Sequence, residues 1–207
     1  MDMSRFDHCR VLVIGDLMVD EYVWGDVERI SPEAPVQVVS VLKDSVTLGG
    51  SGNVVNNLVA LGAQVAVAGV IGAGVNADLL VKMFESRDVD IHGLIRDPSR
   101  QTTRKTRIIG GHQHVLRIDR ETTQQISPDH HARLIAYVDE NLAAFDVLLV
   151  SDYGKGLLTP ALLRDIMKAA GRRKLPVIVD PKGLDFSKYA GATAITPNKK
   201  EASLAAG

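Results

Sequence analysis

The stretch Val11-Leu12-Val13-Ile14-Gly15-Asp16 sets the pattern that decides the fold: a short apolar run that ends in a glycine and a carboxylate. Comparable runs recur along the chain at 64–70, 90–95, 146–151, 176–180 and 192–196, separated by longer stretches with helical spacing. Strands buried on both faces are nearly continuous apolar runs, and their alternation with helices is typical of parallel βαβ units. The sequence therefore predicts an α/β fold with a mostly parallel sheet covered on both faces.

Two helices carry clear start signals. Ser127-Pro128 and Thr159-Pro160 each place a hydroxyl at the capping position and a proline at the first helical position. The second helix is expected to end near Ala170, because Gly171 and three basic residues follow it. Glycine is common just past a helix end, and basic side chains suit the negative end of the helix dipole.

Two segments, about 22–48 and 101–119, do not fit the βαβ alternation. The first is rich in valine but interrupted by prolines, and the second places Gly110-Gly111 between two arms. A glycine pair between apolar arms is typical of a β-hairpin with a two-residue turn. We predict that both segments form a small accessory β-sheet.

That hairpin turn would place Arg104 opposite Arg117, Lys105 opposite Leu116, and Arg107 opposite His114. Directly opposed like charges destabilise a strand pair. An anion between the arginines, such as a substrate phosphate, would convert that repulsion into charge-assisted hydrogen bonds. The alternative is a solvated basic face on which the arginines point apart.

The length, charge and cysteine content of the chain indicate what kind of molecule it binds. The chain has 207 residues, 45% of them hydrophobic, a formal net charge of −1 and one cysteine, Cys9. It is long enough for a substantial core, and a near-neutral charge argues against nucleic acid or an anionic membrane as the main partner. One cysteine cannot form an internal disulfide, and no apolar run or leader typical of membrane insertion or export is evident. We expect a soluble cytoplasmic protein that binds a small molecule.

Polar clusters follow several of the predicted strands. In open α/β sheets, ligands bind beyond the carboxyl ends of the strands, so these clusters should converge on one rim. Asp20 can accept hydrogen bonds from two adjacent hydroxyls of a polyol, whereas Asp16 either meets the ligand or caps a turn. The candidate ligand contacts at this rim are Asp20, Gly49, Gly50, Asn53, Asp152, Lys155 and Lys182.

A last pair, Asn198 and Glu201, stands three residues apart at a predicted helix start. Side chains at this spacing share a helix face, and they could position a magnesium-bound phosphate through water. Gly72-Ala73-Gly74 follows a strand and partly matches a dinucleotide-binding fingerprint, so an NAD-dependent oxidoreductase is an alternative.

The chain is identified by these motifs as resembling the ribokinase family of sugar kinases. Gly49-Gly50-Ser51-Gly52-Asn53 resembles the early family signature, and Asn198 to Glu201 resembles its N-x-x-E motif. The resemblance implies a three-layer α/β sandwich with a small β lid, and ATP and Mg²⁺ as cofactors. It implies sugar contacts at Asp20, Gly49, Gly50 and Asn53, with Asn198 and Glu201 organising Mg²⁺, through water, and the ATP phosphates.

Longer strings, including 29–36 and 180–186, are similar to the subgroup that acts on heptose 7-phosphate. The implied activity is ATP-dependent phosphorylation of D-glycero-β-D-manno-heptose 7-phosphate at C1, on the route to ADP-heptose and the lipopolysaccharide core. The residues assigned to the substrate phosphate, by charge and placement more than by motif, are Arg104, Arg107, Arg117, Lys155 and Lys182.

Family members continue past the N-x-x-E helix into an adenine-binding region and a Gly-Ala-Gly-Asp motif that holds the catalytic base. That base would lie beyond Gly207, so residues 1–207 are expected to be a truncated kinase domain that binds sugar better than it phosphorylates it. A non-catalytic sugar-phosphate binding module is the alternative. We further expect a homodimer through the lid, whose open strand edges favour pairing, and a nucleotidyltransferase as a partner acting next.

Overall fold

The computed structural model describes residues 4–206. In chain order, the strands and α-helices of this part are β1 (Arg10–Gly15), β2 (Leu17–Ile30), β3 (Gln37–Gly50), α1 (Ser51–Ala60), β4 (Gln64–Ile71), α2 (Val75–Glu85), β5 (Asp90–Arg96), β6 (Thr103–Gly110), β7 (Gln113–Arg120), α3 (Pro128–Asn141), β8 (Val147–Ser151), α4 (Pro160–Arg173), β9 (Val177–Asp180), β10 (Ala194–Ile195) and α5 (Lys199–Ala206).

The main sheet has six strands in the order β10-β9-β8-β1-β4-β5, all paired in parallel. Every apolar run predicted as a strand contributes to it, so the predicted α/β class is confirmed. Strand β1 lies in the middle and is buried over its last five residues. Because successive side chains of a strand point to opposite faces, β1 supports two separate cores.

The two cores lie on opposite faces of the sheet. Leu12 and Ile14 pack with buried residues of α3 and α4, whereas Val11 and Val13 pack with buried residues of α1 and α2. The result is the predicted three-layer sandwich of helices, sheet and helices. Among the helices of residues 4–206, none is long and apolar enough to cross a membrane.

Both predicted helix starts are confirmed, and one predicted helix end is wrong. Ser127 Oγ accepts a hydrogen bond from the amide of His130 at 3.2 Å, and Thr159 Oγ1 accepts one from the amide of Leu162 at 3.1 Å. Helix α4, however, continues through Gly171 to Arg173, and Lys174 caps it in the left-handed conformation with φ 54°. Gly171 has a helical conformation and open space around it, so nothing ends the helix there.

The accessory sheet is present, and its first two strands extend past the predicted segment 22–48, to Leu17 and Gly50. Its four strands have the order β3-β2-β6-β7, with an antiparallel pair at each side and a parallel β2–β6 pair between them. We call this sheet the lid. It begins at Leu17, directly after β1, so the two sheets share the rim at which β1 ends.

The predicted hairpin register is wrong. Gly110 pairs with Gln113, so the turn residues are Gly111 and His112, and an irregularity between Ile108 and Ile109 shifts the pairing further. As a result, Arg107 lies opposite Arg117, Arg104 opposite Arg120, and Lys105 opposite Asp119. The expected opposition of like charges therefore exists, but between other partners.

Candidate functional site

A cavity of about 390 Å³ lies where the lid meets the carboxyl end of β1. Its position is the one that the strand-end clusters predict, since ligands of open α/β sheets bind at this rim. The residues that line it come from the lid, from the start of α1 and from the loop after β8: Met18, Asp20, Tyr22, Thr47, Leu48, Gly50, Asn53, Lys105, Arg107, Arg117 and Tyr153.

Asp20 is placed in this cavity by the period of strand β2. Residues 18, 20 and 22 all line it, as alternate residues of one strand face. Asp20 Oδ1 accepts a hydrogen bond from the guanidinium of Arg107 at 2.6 Å, and this contact raises the pKa of Arg107. A Cβ added to Gly49 would lie 2.5 Å from Asp20 Oδ2. The missing side chain of Gly49 therefore leaves room for the Asp20 carboxylate, and Gly49 does not itself line the cavity.

The glycine-rich turn brings the start of α1 to the cavity. Gly50 caps the helix with φ 54°, and a Cβ there would lie 2.7 Å from the carbonyl oxygen of Asp16. This close approach and this conformation both favour glycine. Asn53 lines the cavity, and α1 has no side-chain cap hydrogen bond, so Asn53 does not cap this helix.

The basic residues of β6 divide between the two faces of the lid. Lys105 and Arg107 line the cavity, together with Arg117 from β7. Arg104 is one residue out of phase and points to the opposite face, where it bonds Asn76 Oδ1 at 2.8 Å and forms an ion pair with Glu21. Strand alternation turns Arg104 away from the lid cavity, so the geometry gives no support to its predicted role at the substrate phosphate. Lys105, which the sequence did not single out, occupies the cavity face.

Two strand-end aspartates are buried and hold loops in place. Asp16, 4% exposed, accepts hydrogen bonds on one oxygen from the amides of Tyr153 and Lys155, at 2.9 and 3.1 Å. Burial raises the pKa of Asp16, although these donors oppose the shift. The reading of Asp16 as a turn cap is the one that its geometry supports.

Asp152 is 3% exposed and accepts hydrogen bonds from Tyr189 Oη at 2.7 Å and Lys188 Nζ at 2.8 Å. Its carboxylate is thereby satisfied within the protein, and it does not line the lid cavity. Asp152 lines the second pocket, described below, where its charge is paired with Lys188.

Lys155 also lies outside the cavity lining. Its ammonium group contacts Glu121 at 2.8 Å, and this hydrogen bond lowers the pKa of Glu121. Glu121 lies 3.4 Å from Lys105 as well. Lys155 is therefore linked to the lid cavity through Glu121, the carboxylate that it shares with Lys105.

A second pocket of about 300 Å³ adjoins the first, and Tyr153 lines both. It contains Asp180, Lys182, Asn198 and Glu201. Lys182, expected at the substrate phosphate, lies instead in this pocket, where its ammonium group is 3.7 Å from Glu201. The sequence analysis placed all the strand-end residues at one ligand site. The structure divides them between the lid cavity and this second pocket.

Asn198 and Glu201 form a reciprocal cap at the start of α5. The Asn198 amide donates to Glu201 Oε2 at 3.0 Å, and the Glu201 amide donates to Asn198 Oδ1 at 2.9 Å. This is the geometry of a capping box with asparagine in place of serine or threonine. The pair thus has a structural role in addition to any part in ligand binding.

The second pocket brings two carboxylates together. Among residues 4–206, no group of three or more His, Cys, Asp or Glu side chains could hold a metal ion. Asp180 and Glu201 nevertheless share the pocket, and burial together with the charge of Glu201 raises the pKa of Asp180. A cation bound through water would relieve this repulsion, since Mg²⁺ keeps several of its waters.

The glycine loop after β4 makes protein contacts. A Cβ added to Gly72 would lie 2.3 Å from the carbonyl oxygen of Arg100, so this glycine permits close packing against the segment that leads into the lid. Gly74, with φ 116°, begins α2. These contacts account for Gly72 without a dinucleotide.

The architecture is shared with solved structures of other proteins. Solved structures with the same fold include a carbohydrate kinase from Agrobacterium tumefaciens, with a TM-score of 0.70 and 19% identity over 95% of this chain and 63% of that one. Another is phosphofructokinase-2 from Escherichia coli, with a TM-score of 0.72 and 18% identity over 95% of this chain and 64% of that one. At these identities the similarity concerns the fold alone.

Residues 9–207 match the family described as pfkB family carbohydrate kinase, and the chain belongs to that family. Two curated relatives are both called bifunctional protein HldE. The protein from Geobacter sulfurreducens is 53% identical over 207 residues, and the one from Desulfatibacillum aliphaticivorans is 55% identical over 206. These alignments cover 99% and 100% of this chain but 42% of each relative, so the chain spans less than half of their length.

Proposed function

We propose that the lid cavity binds a sugar phosphate and that the whole protein phosphorylates it with ATP. The proposed substrate is D-glycero-β-D-manno-heptose 7-phosphate, and the proposed product is the 1,7-bisphosphate. The observation that carries the proposal is the placement of Asp20 and of three cations, Lys105, Arg107 and Arg117, in one cavity. Membership of the pfkB family and the similarity to HldE proteins support a sugar kinase of this kind.

The residues of the cavity have complementary chemistry. A carboxylate accepts hydrogen bonds from adjacent hydroxyls, so Asp20 is proposed to bind the hydroxyls of the heptose. Asn53 adds an amide that both donates and accepts. Guanidinium groups bind phosphate through paired, charge-assisted hydrogen bonds, so Arg107 and Arg117 are proposed to bind the 7-phosphate, with Lys105 beside them.

The second pocket is proposed to face the nucleotide. Asn198 and Glu201 would hold a magnesium ion through water, and Lys182 would contact a nucleotide phosphate. Mg²⁺-ATP supplies the phosphoryl group and the charge neutralisation for its transfer. Tyr153 lines both pockets, so it would contact both the sugar and the nucleotide sites of this proposal.

The same proposal sets the cellular role. The bisphosphate would feed the synthesis of ADP-heptose for the lipopolysaccharide core, in the cytoplasm, where ATP is available. A nucleotidyltransferase would act next, and the word "bifunctional" in the names of the relatives is consistent with such a partner. The base that accepts the hydroxyl proton is proposed to lie outside this chain, so turnover is assigned to the whole protein and sugar-phosphate binding to the residues described here.

We also propose that the lid forms a homodimer. Val41 and Leu42 in β3 and Leu116 in β7 are 61%, 71% and 53% exposed. Apolar side chains on a small sheet with open edges favour pairing with a second copy. Light scattering should give the mass of a dimer, and a monomer at micromolar concentration would contradict this part of the proposal.

A panel of thermal-shift titrations of the 207-residue chain tests the substrate assignment. A ligand that binds only the folded state raises Tm by mass action. Heptose 7-phosphate should raise Tm at lower concentration than unphosphorylated heptose or ribose 5-phosphate do. Equal shifts with all three sugars, or a shift with NAD alone, would refute the assignment.

A further inference from the structure

The groups expected to bind the two ends of the substrate are bonded to each other. Asp20 Oδ1 and the Arg107 guanidinium are 2.6 Å apart, and their side chains are 18% and 20% exposed. A charged pair that is mostly withdrawn from water is strongly disfavoured when one partner is left alone. A ligand that binds one member of this pair must therefore also provide a hydrogen-bonding partner for the other member.

The other two cations of the cavity have partners of a different kind. Arg117 donates to both oxygens of Asp119 at 3.0 Å, and Lys105 lies 3.5 Å from Asp119 and 3.4 Å from Glu121. Neither of these carboxylates lines the cavity. Among the described residues that line it, Arg107 is thus the cation whose carboxylate partner is also a candidate ligand contact.

Both members of the pair have a second contact in the protein. The guanidinium of Arg107 lies 5.2 Å from the ring centre of Tyr22, which itself stacks on Trp24 at 5.6 Å. The backbone of Gly49 lies against the other oxygen of Asp20. Each side chain thus has one further contact within the protein while both line the open cavity.

We propose that the Asp20–Arg107 pair is a specificity device that selects ligands carrying hydroxyls and an anion together. This inference rests on the proposed function. It adds that Asp20 competes with the phosphate for Arg107, and that Arg107 competes with the sugar hydroxyls for Asp20. The 7-phosphate draws Arg107 away from Asp20, and the sugar hydroxyls replace Arg107 on the carboxylate. Inorganic phosphate or a neutral sugar achieves only half of this exchange, so each binds weakly.

The test compares Asp20→Asn, Arg107→Gln and the double variant, each titrated with inorganic phosphate, unphosphorylated heptose and heptose 7-phosphate. Because the pair keeps some contact with solvent, its net attraction is modest, and removing the competitor should tighten binding of the single-ended ligand about three- to fivefold. Asp20→Asn should therefore bind inorganic phosphate more tightly, and Arg107→Gln should bind neutral heptose more tightly. Both should bind heptose 7-phosphate at least about tenfold more weakly, as loss of a charged hydrogen bond predicts.

The double variant separates this exchange from a general effect of charge. If Arg107 is the group released by Asp20→Asn, the gain in phosphate affinity vanishes when Arg107 is also replaced. A gain that persists in the double variant, or single variants that weaken all three ligands, would overturn the inference. Glu21→Gln is the matched control, because Glu21 pairs with Arg104 on the opposite face of the same two strands. It should leave all three affinities unchanged.

The outcome also distinguishes this inference from the proposed function. If the unmodified chain does not bind heptose 7-phosphate at all, the proposed function fails. If it binds heptose 7-phosphate but the single variants do not show opposite effects on phosphate and neutral heptose, the inference alone fails.

Discussion

Replacing Asp16 should show how much the rim of the site depends on one buried carboxylate. One oxygen of Asp16 accepts the amides of both Tyr153 and Lys155, at 2.9 and 3.1 Å. Asp16→Ala removes this acceptor and leaves two amide donors without it. An unsatisfied buried donor costs about 1–3 kcal/mol, so we expect the free energy of unfolding to fall by about 2–4 kcal/mol.

Asp16→Asn should behave differently, because its side-chain carbonyl can accept both amides. The substitution also removes a buried charge, so the free energy of unfolding should stay within about 1 kcal/mol of the unmodified value. Urea unfolding at neutral pH measures both variants. If Asp16→Asn costs as much as Asp16→Ala, the charge matters more than the acceptor and the reasoning is wrong.

The pH dependence provides an independent check on Asp16. Burial raises its pKa in the folded protein, so its contribution to stability is present at low pH and is lost as the pH rises through that value. Asparagine does not titrate. The advantage of Asp16→Asn over the unmodified chain should therefore grow as the pH is raised from about 4, the ordinary range of an aspartate. A difference that shrinks over this range would contradict the sign of the shift.

Three further substitutions test other contacts. Gly49→Ala would place a Cβ 2.5 Å from Asp20 Oδ2 and displace this carboxylate. It should weaken heptose 7-phosphate binding at least about tenfold in calorimetry while the chain stays folded. Unchanged affinity would argue against a role of Gly49 in positioning Asp20. Tyr189→Phe removes the 2.7 Å hydrogen bond to Asp152 and should lower the free energy of unfolding, measured in urea, by about 1.5–3 kcal/mol. A loss below roughly 0.5 kcal/mol would mean that water replaces the hydroxyl. Thr159→Ala removes the cap of α4 and should cost about 1 kcal/mol by the same assay, whereas Thr159→Ser should cost little.

The strands of the main sheet could be read from the sequence because they are buried on both faces. Each apolar run that interrupts the helical spacing became a strand, and the two proline-preceded helix starts were visible as local capping signals. The end of α4 could not be read in this way, because a glycine such as Gly171 can lie inside a helix or just past its end. Local chemistry predicts an element well when one interaction dominates it, and poorly when two conformations cost nearly the same.

The candidate site shows the same division. Asp20, Asn53, Arg107 and Arg117 were predicted as ligand contacts, and all line the cavity. Arg104 does not line it, because residues 104 and 107 stand three apart on one strand and point to opposite faces. The cross-strand partners of these arginines were mispredicted because an irregularity between Ile108 and Ile109, which no turn signal announces, shifts the register of the hairpin.

The sequence by itself determined the α/β class, the rim that carries the site, and the presence of a lid, since these follow from burial patterns and strand ends. Only the tertiary structure decided which charges meet. It pairs Asp20 with Arg107, places Lys182 with Glu201, and buries Asp16 and Asp152 beneath the rim. The physical reason is that a side chain's partner depends on strand register and on the packing of distant segments, and a shift of one residue moves it to the opposite face of its sheet.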